Sequence, residues 1–170
     1  MSARPEAVRP GRGRKAGRGA DERARRTGPP ETRSRAVAWF RAGLVGLAVI
    51  QLVVGTWALV SPTGFYEGFP LPGRRWVALL PPYNEHMLLD FGGLNLGMGV
   101  MLAVAGRRPE RLLVRTVLAG YLAYAVPHLA FHLGHLGHFP TVDVIGQVVT
   151  LSLVVVLPAV MLAWSGRVLR

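Results

Sequence analysis

Four long apolar segments dominate the chain after a polar start, at 36–60, 87–105, 112–136 and 142–164. Each one approaches the ~20 residues that a helix needs to cross the hydrocarbon core of a bilayer. None shows the strict alternation of apolar and polar residues that is typical of a membrane barrel strand. The pattern predicts an all-α integral membrane protein, a four-helix bundle with a long first outer loop over 61–86 whose aromatic residues suit the headgroup level.

The first 35 residues have a different character from the rest. Hydrophobic residues make up 51% of the chain, yet this segment is rich in arginine, glycine and proline and contains almost no large apolar side chains. Because such a composition cannot bury a core, we predict a disordered basic tail over 1–35, a four-span domain over 36–165 and a short C-terminal end over 166–170. The chain has no cysteine, which excludes disulfides, thiolate ligands and haem attached through cysteine.

The distribution of basic residues predicts how the bundle sits in the membrane. Lys15 and ten arginines lie in the tail, and further arginines follow the second span and the fourth, whereas Arg74 and Arg75 alone lie on the opposite side. Cytoplasmic loops carry the excess of basic residues, so we predict a multi-pass protein of a bacterial plasma membrane with both termini cytoplasmic. The net charge of +11 then follows from topology. We expect the tail to contact anionic lipid headgroups rather than nucleic acid.

Polar residues recur at helical spacing in three of the spans, toward one end of the predicted bundle. In the third span, one face carries Tyr121, Tyr124, His128, His132 and His135. In the second span, a stripe next to Glu85 contains His86, Asp90, Gly93 and Gly97, and its G-x-x-x-G part is expected to press against another helix and turn the polar pair inward. In the fourth span, the same spacing joins Asp143, Gln147 and Thr150.

Titratable side chains beside lipid are costly and usually mark a functional site. Imidazole and carboxylate groups are ligands of Zn, Fe and Cu, and two histidines four residues apart on a helix can point at one ion. The predicted metal ligands are His86, Asp90, His128, His132 and His135, supported by Glu85, Tyr121, Tyr124, Asp143 and Gln147. A single pocket of this kind requires Asp90 to face the bundle interior near the histidines of the third span.

Other interpretations of the same residues stay open. Non-covalent haem between histidines of two spans, and a proton relay or quinone-headgroup site, are the less favoured cofactor hypotheses. In a different class, the polar groups only satisfy one another and specify helix pairing in a structural or assembly subunit, which would have a membrane-protein partner. No nucleophile elbow or nucleotide-binding glycine loop is present, so the catalytic residues and the reaction are not predicted. The favoured hypothesis is a metal-binding or redox-linked membrane component.

The outer loop and the third span also carry a resemblance. The loop contains S-P-x-x-F-Y-x-x-F-P and ends on L-P-P-Y-N-E-H, and the third span contains V-P-H-x-x-F-H-x-x-H. In these features the chain resembles uncharacterised actinobacterial four-helix membrane proteins that are distantly similar to the DoxX-like family. The resemblance implies fold and location, and DoxX-like proteins are associated with respiratory quinol oxidation and redox homeostasis as small membrane subunits. It assigns no catalytic role to any residue here.

Overall fold

The computed structural model describes residues 30–169, and the side chains of residues 34–169. Residues 1–29 of the predicted basic tail lie outside the described residues. The described part is all-α. Its helices are α1 (Pro30–Val60), α2 (Pro62–Gly68), α3 (Glu85–Arg107), α4 (Arg111–Gly134) and α5 (Thr141–Val168), with a 3-10 turn at Leu136–His138.

The four long helices confirm the four spans that the apolar pattern predicts. Helices α1, α3, α4 and α5 are long and apolar enough to cross a membrane. Helix α3 begins where it does because the side chain of Asn84 accepts a hydrogen bond from the Met87 N–H at 3.1 Å, and Glu85 in the first turn suits the positive end of the helix dipole. Helix α5 continues to Val168, through most of the segment expected to be a separate C-terminal end.

The first loop contains a short helix that the hydrophobic pattern does not reveal. Helix α2 buries Phe65, which is 2% exposed and packs on Trp57, Phe69 and Phe91. Its ring therefore lies in a small apolar core at this end of the bundle. A larger core between the long helices includes Leu44, Leu47, Leu102, Val114 and Leu118.

Helices α1 and α3 pack so closely that their backbones are in contact at Gly55. A Cβ atom on Gly55 would lie 2.6 Å from the Leu96 nitrogen and 2.8 Å from the Gly92 oxygen. A Cβ atom on Gly99 would lie 2.8 Å from the side chain of Leu52. Small residues allow such contact between membrane helices, where close packing replaces the hydrophobic effect as a source of stability.

The glycines that make this contact are not the predicted ones. No atom lies within 4 Å of a Cβ built on Gly93 or Gly97, so the predicted G-x-x-x-G face is open and the expectation about it was wrong. The buried stripe of α3 lies on the opposite face of the helix, with Leu88, Gly92, Asn95, Gly99 and Leu102 at alternating spacings of four and three. This stripe runs along most of the helix, and it therefore buries more surface than two glycines alone.

Candidate functional site

The two ends of the bundle carry opposite kinds of chemistry. We call one the arginine end, where Arg41 donates a hydrogen bond from Nε to the Gly106 oxygen at 3.0 Å and Arg115 donates to the Ser165 hydroxyl at 3.0 Å. We call the other the histidine end, where α4 finishes and the 3-10 turn follows. The polar aromatic residues of α4 lead from the core toward this histidine end.

Five residues of α4 and of the turn that follows it form a series that we call the histidine row: Tyr124, His128, His132, His135 and His138. The rings of Tyr124 and His128 are stacked with centroids 5.4 Å apart, and those of His128 and His132 lie 4.7 Å apart at 69°. His135 and His138 follow with centroids 5.9 Å apart. The spacing of four residues thus places Tyr124, His128 and His132 on the shared face of α4 that the sequence predicts, whereas His135 lies beyond the end of the helix.

His132 is tied to the neighbouring helix by a short hydrogen bond. Its Nδ1 lies 2.6 Å from Oε1 of Gln147 on α5. A carboxamide oxygen only accepts, so in the neutral imidazole Nδ1 carries the proton and Nε2 keeps its lone pair. Gln147 is fully buried, and its Nε2 has no hydrogen-bond partner within the described part of the chain. One amide donor therefore remains unused beside an imidazole with a free acceptor.

The same tautomer recurs in the next two histidines. Nδ1 of His135 lies 2.7 Å from the Phe131 oxygen, and Nδ1 of His138 lies 3.1 Å from the His135 oxygen. Because a backbone carbonyl also only accepts, both Nδ1 atoms are donors and both Nε2 atoms are free to accept. Three successive imidazoles of the row thus have fixed orientation and present Nε2. The His128 side chain makes no hydrogen bond to any residue in 34–169, and its ring lies against those of Tyr124 and His132.

Two buried amides extend the polar contacts of α4 into other helices. Tyr121, which is 1% exposed, pairs with the side chain of Gln51 on α1, and Tyr124 pairs with Asn95 on α3. Asn95 also donates from Nδ2 to the Phe91 oxygen at 2.7 Å. The sequence reasoning did not include Asn95 in the site. Its position between Gly92 and Gly99 on the buried stripe was the available signal.

The pair on α3 lies apart from the row. His86 Nε2 and Asp90 Oδ2 are 3.3 Å from one another, and their side chains are 82% and 58% exposed. The expectation that Asp90 faces the bundle interior was therefore wrong, because the face of α3 that packs on α1 is the opposite one, with Gly92 and Gly99. Glu85, in the first turn of α3, is also exposed.

Asp143 forms its hydrogen bonds with residues of the first loop and not with the histidines. This buried carboxylate accepts hydrogen bonds from Trp76 Nε1 at 3.0 Å and from Arg74 Nη1 at 3.3 Å. The Trp76 ring also covers Gly146, where a Cβ would lie 3.1 Å from it. Asp143 therefore anchors the first loop to α5 rather than supporting the histidines, and Arg74 does not simply face water as a free charge.

These positions bear directly on the metal hypothesis. Within residues 34–169, no group of three or more histidine, aspartate or glutamate side chains could hold a metal ion. The five predicted ligands are divided between the row and the exposed pair on α3. The arrangement of the described side chains consequently gives no support to a shared Zn, Fe or Cu site, or to haem held between His86 and the row.

Comparison with known proteins adds no further identification. No family model matches the chain, and neither the curated proteins nor the solved structures contain a significant match. The resemblance to the DoxX-like family accordingly stays a prediction. The described residues themselves support a multi-pass, all-α membrane protein with oriented imidazoles at the end of α4 and in the turn that follows it.

Proposed function

We propose that this protein is a redox-linked membrane component that binds the headgroup of a quinone-class ligand against the histidine row. The observation that carries the proposal is the run of oriented imidazoles, in which His132, His135 and His138 all donate through Nδ1 and present Nε2. A quinol hydroxyl would donate to such a nitrogen. A quinone carbonyl would accept from a phenol or an amide N–H.

The surroundings of the row suit an amphipathic, ring-shaped ligand. Tyr124 and Phe131 are 36% and 51% exposed, so flat surfaces lie beside the imidazoles and are open to the bilayer. Phe131 already stacks on His135 with centroids 4.1 Å apart, which shows that the row tolerates face-to-face rings. The unused Nε2 donor of Gln147 lies behind His132 and would stabilise any acceptor that a shift of the amide brings within reach.

The direct test is binding of a short-tailed benzoquinone to the full chain in nanodiscs, measured by equilibrium dialysis. We expect saturable binding that His128→Leu and His132→Leu each weaken about tenfold, the loss expected for one hydrogen bond in a dry site. His86→Leu is the matched control, since that histidine pairs with Asp90 away from the row. Absence of saturable binding, or equal weakening by the control, would contradict the proposal. Metal analysis of the same preparation tests the metal-site prediction independently.

A second candidate function, the structural or assembly subunit, is favoured by a different observation. The His132–Gln147 bond and the Arg115–Ser165 bond both join α4 to α5, at opposite ends. Under this alternative the row holds helices together and binds nothing. The histidine variants would then lower the thermal stability of the protein, and the parent would bind no quinone.

A further inference from the structure

A groove between α1 and α3 at the arginine end combines apolar walls with two arginines, as a site for an amphipathic anion would. It encloses a cavity of about 320 Å³. Its walls are aliphatic, and its mouth is formed by two guanidinium groups. The lining residues include Val45, Ala48, Val49, Leu52 and Ala103, with Arg41 and Arg107 at the mouth.

The walls form a channel along the helix axis. Arg41, Val45, Val49 and Leu52 follow one another at spacings of three or four residues, so they share one face of α1 over roughly 16 Å. Val45 and Val49 are 47% and 53% exposed, which keeps the groove open toward lipid. An alkyl chain lying along this face would cover apolar surface without requiring any polar partner.

The two arginines at the mouth have no acidic partner among residues 34–169. Arg41 uses Nε for the Gly106 oxygen, which holds its guanidinium in place and leaves its two Nη groups without an acceptor among residues 34–169. Arg107 makes no hydrogen bond or ion pair within the same residues. By contrast, Arg74 is paired with Asp143 and Arg115 with Ser165. The mouth therefore holds two positive charges that an anion from outside the chain can neutralise.

We propose that this groove is a binding site for a phospholipid with an anionic headgroup. Guanidinium groups recognise phosphate oxygens through paired, charge-assisted hydrogen bonds, and basic pockets between membrane helices bind anionic headgroups. The aliphatic walls take one acyl chain, and the two arginines bind the phosphate. This site shares no residue with the histidine row, so the lipid proposal and the quinone proposal are tested independently.

Native mass spectrometry of the full chain, delipidated and then titrated with phosphatidylglycerol or with phosphatidylcholine of the same acyl chains, tests the assignment. We expect retained phosphatidylglycerol to exceed phosphatidylcholine about tenfold, and Arg107→Gln to remove most of that preference, because it deletes one charge-assisted contact. The Arg107 side chain makes no hydrogen bond or ion pair within the described residues, so this variant should fold normally. Arg108→Gln is the matched control, because it removes the same charge at the same end from a residue outside the lining.

A second variant separates the groove from its charge. Val49→Trp fills the channel and leaves both arginines intact, and we expect it to reduce retention of phosphatidylglycerol to the level of Arg107→Gln. Several results would overturn the proposal: equal retention of the two lipids, equal loss in Arg108→Gln, displacement by millimolar inorganic phosphate alone, or a dimer whose formation blocks lipid retention. Equal retention would indicate that the headgroup charge is not recognised, and equal loss in Arg108→Gln would indicate general surface charge. The last two would assign the groove to a free anion or to a second copy of the chain.

Discussion

At the scale of single residues, the properties of the polar side chains depend on which of their donors and acceptors form hydrogen bonds. His132 donates through Nδ1 to Gln147, and this single bond fixes its tautomer, its ring orientation and the direction of its free nitrogen. Gln147 uses its oxygen and leaves its buried Nε2 unpaired. An unsatisfied buried group costs about 1–3 kcal/mol, so the two partners should respond differently to substitution.

The first prediction at this scale compares those two partners. His132→Phe leaves the whole Gln147 carboxamide buried without a partner, and we expect it to lower the free energy of unfolding in detergent by about 1–3 kcal/mol. Gln147→Met keeps the side-chain volume and removes the unpaired donor together with the acceptor. Because His132 is only partly buried, we expect a change smaller than about 1 kcal/mol.

Thr150→Val provides the control for this comparison, since the Thr150 hydroxyl donates to Gly146 within its own helix. The double variant His132→Phe/Gln147→Met should show a coupling of roughly 0.6 to 1.7 kcal/mol, the range found for hydrogen bonds between membrane helices. If His132→Phe is no more destabilising than Thr150→Val, the bond across the two helices does not contribute to stability.

At the scale of helices, the contact between α1 and α3 depends on the absence of side chains at a few positions. We expect Gly55→Ala to destabilise the bundle by about 1–3 kcal/mol, because the new methyl group would overlap the backbone of Leu96 and Gly92. Gly97 lies on the exposed face of α3, and no described atom outside its own helix backbone lies within 4 Å of its Cβ position. We therefore expect Gly97→Ala to leave the stability of the bundle unchanged or to raise it slightly. Thermal unfolding monitored by circular dichroism measures both.

Equal effects of Gly55→Ala and Gly97→Ala would show that the helices do not meet along the Gly92 and Gly99 stripe. The comparison is informative because residue size and chemistry are the same in both variants. Only the location of the added methyl group differs.

The same helices show what could be read from the sequence and what could not. Apolar length predicts the four spans correctly, because the bilayer imposes that length on any helix that crosses it. The interior face of α3 was assigned to the side of the helix opposite the observed one, since Gly92 and Gly99 form one plausible small-residue stripe and Gly93 and Gly97 form another. The choice depends on which stripe complements α1, and Leu52, Gly55 and Leu59 meet only the first.

In the candidate site, too, the positions of residues within one helix could be predicted from the sequence, and the contacts between elements could not. Spacing within α4 predicts that His128 and His132 share a face, because that is a property of one helix. Contacts between elements could not be derived in this way. Asp143 was assigned to the histidines, but the loop brings Arg74 and Trp76 to it, and Asp90 was assigned to the interior but pairs with His86 on an exposed face.

At the scale of the whole molecule, the two ends differ in charge as well as in chemistry. The arginine end carries Arg107, Arg108 and Arg111 around one short connection, whereas the loops of the histidine end carry Arg74 and Arg75. Moving basic side chains across the membrane is unfavourable during insertion, so we expect the arginine end to face the cytoplasm and the histidine row to open toward the outer side.

The chain contains no cysteine, so each engineered cysteine is the single labelling site in the protein. Leu71 lies exposed in the loop between α2 and α3, and Glu110 lies exposed between α3 and α4. With a membrane-impermeant thiol reagent, we expect Leu71→Cys to react in intact cells and Glu110→Cys to react only after permeabilisation. The reverse pattern would place the histidine row on the cytoplasmic side. Any ligand of the row would then exchange protons with the cytoplasm rather than with the exterior, and the arginine groove would face the outer leaflet.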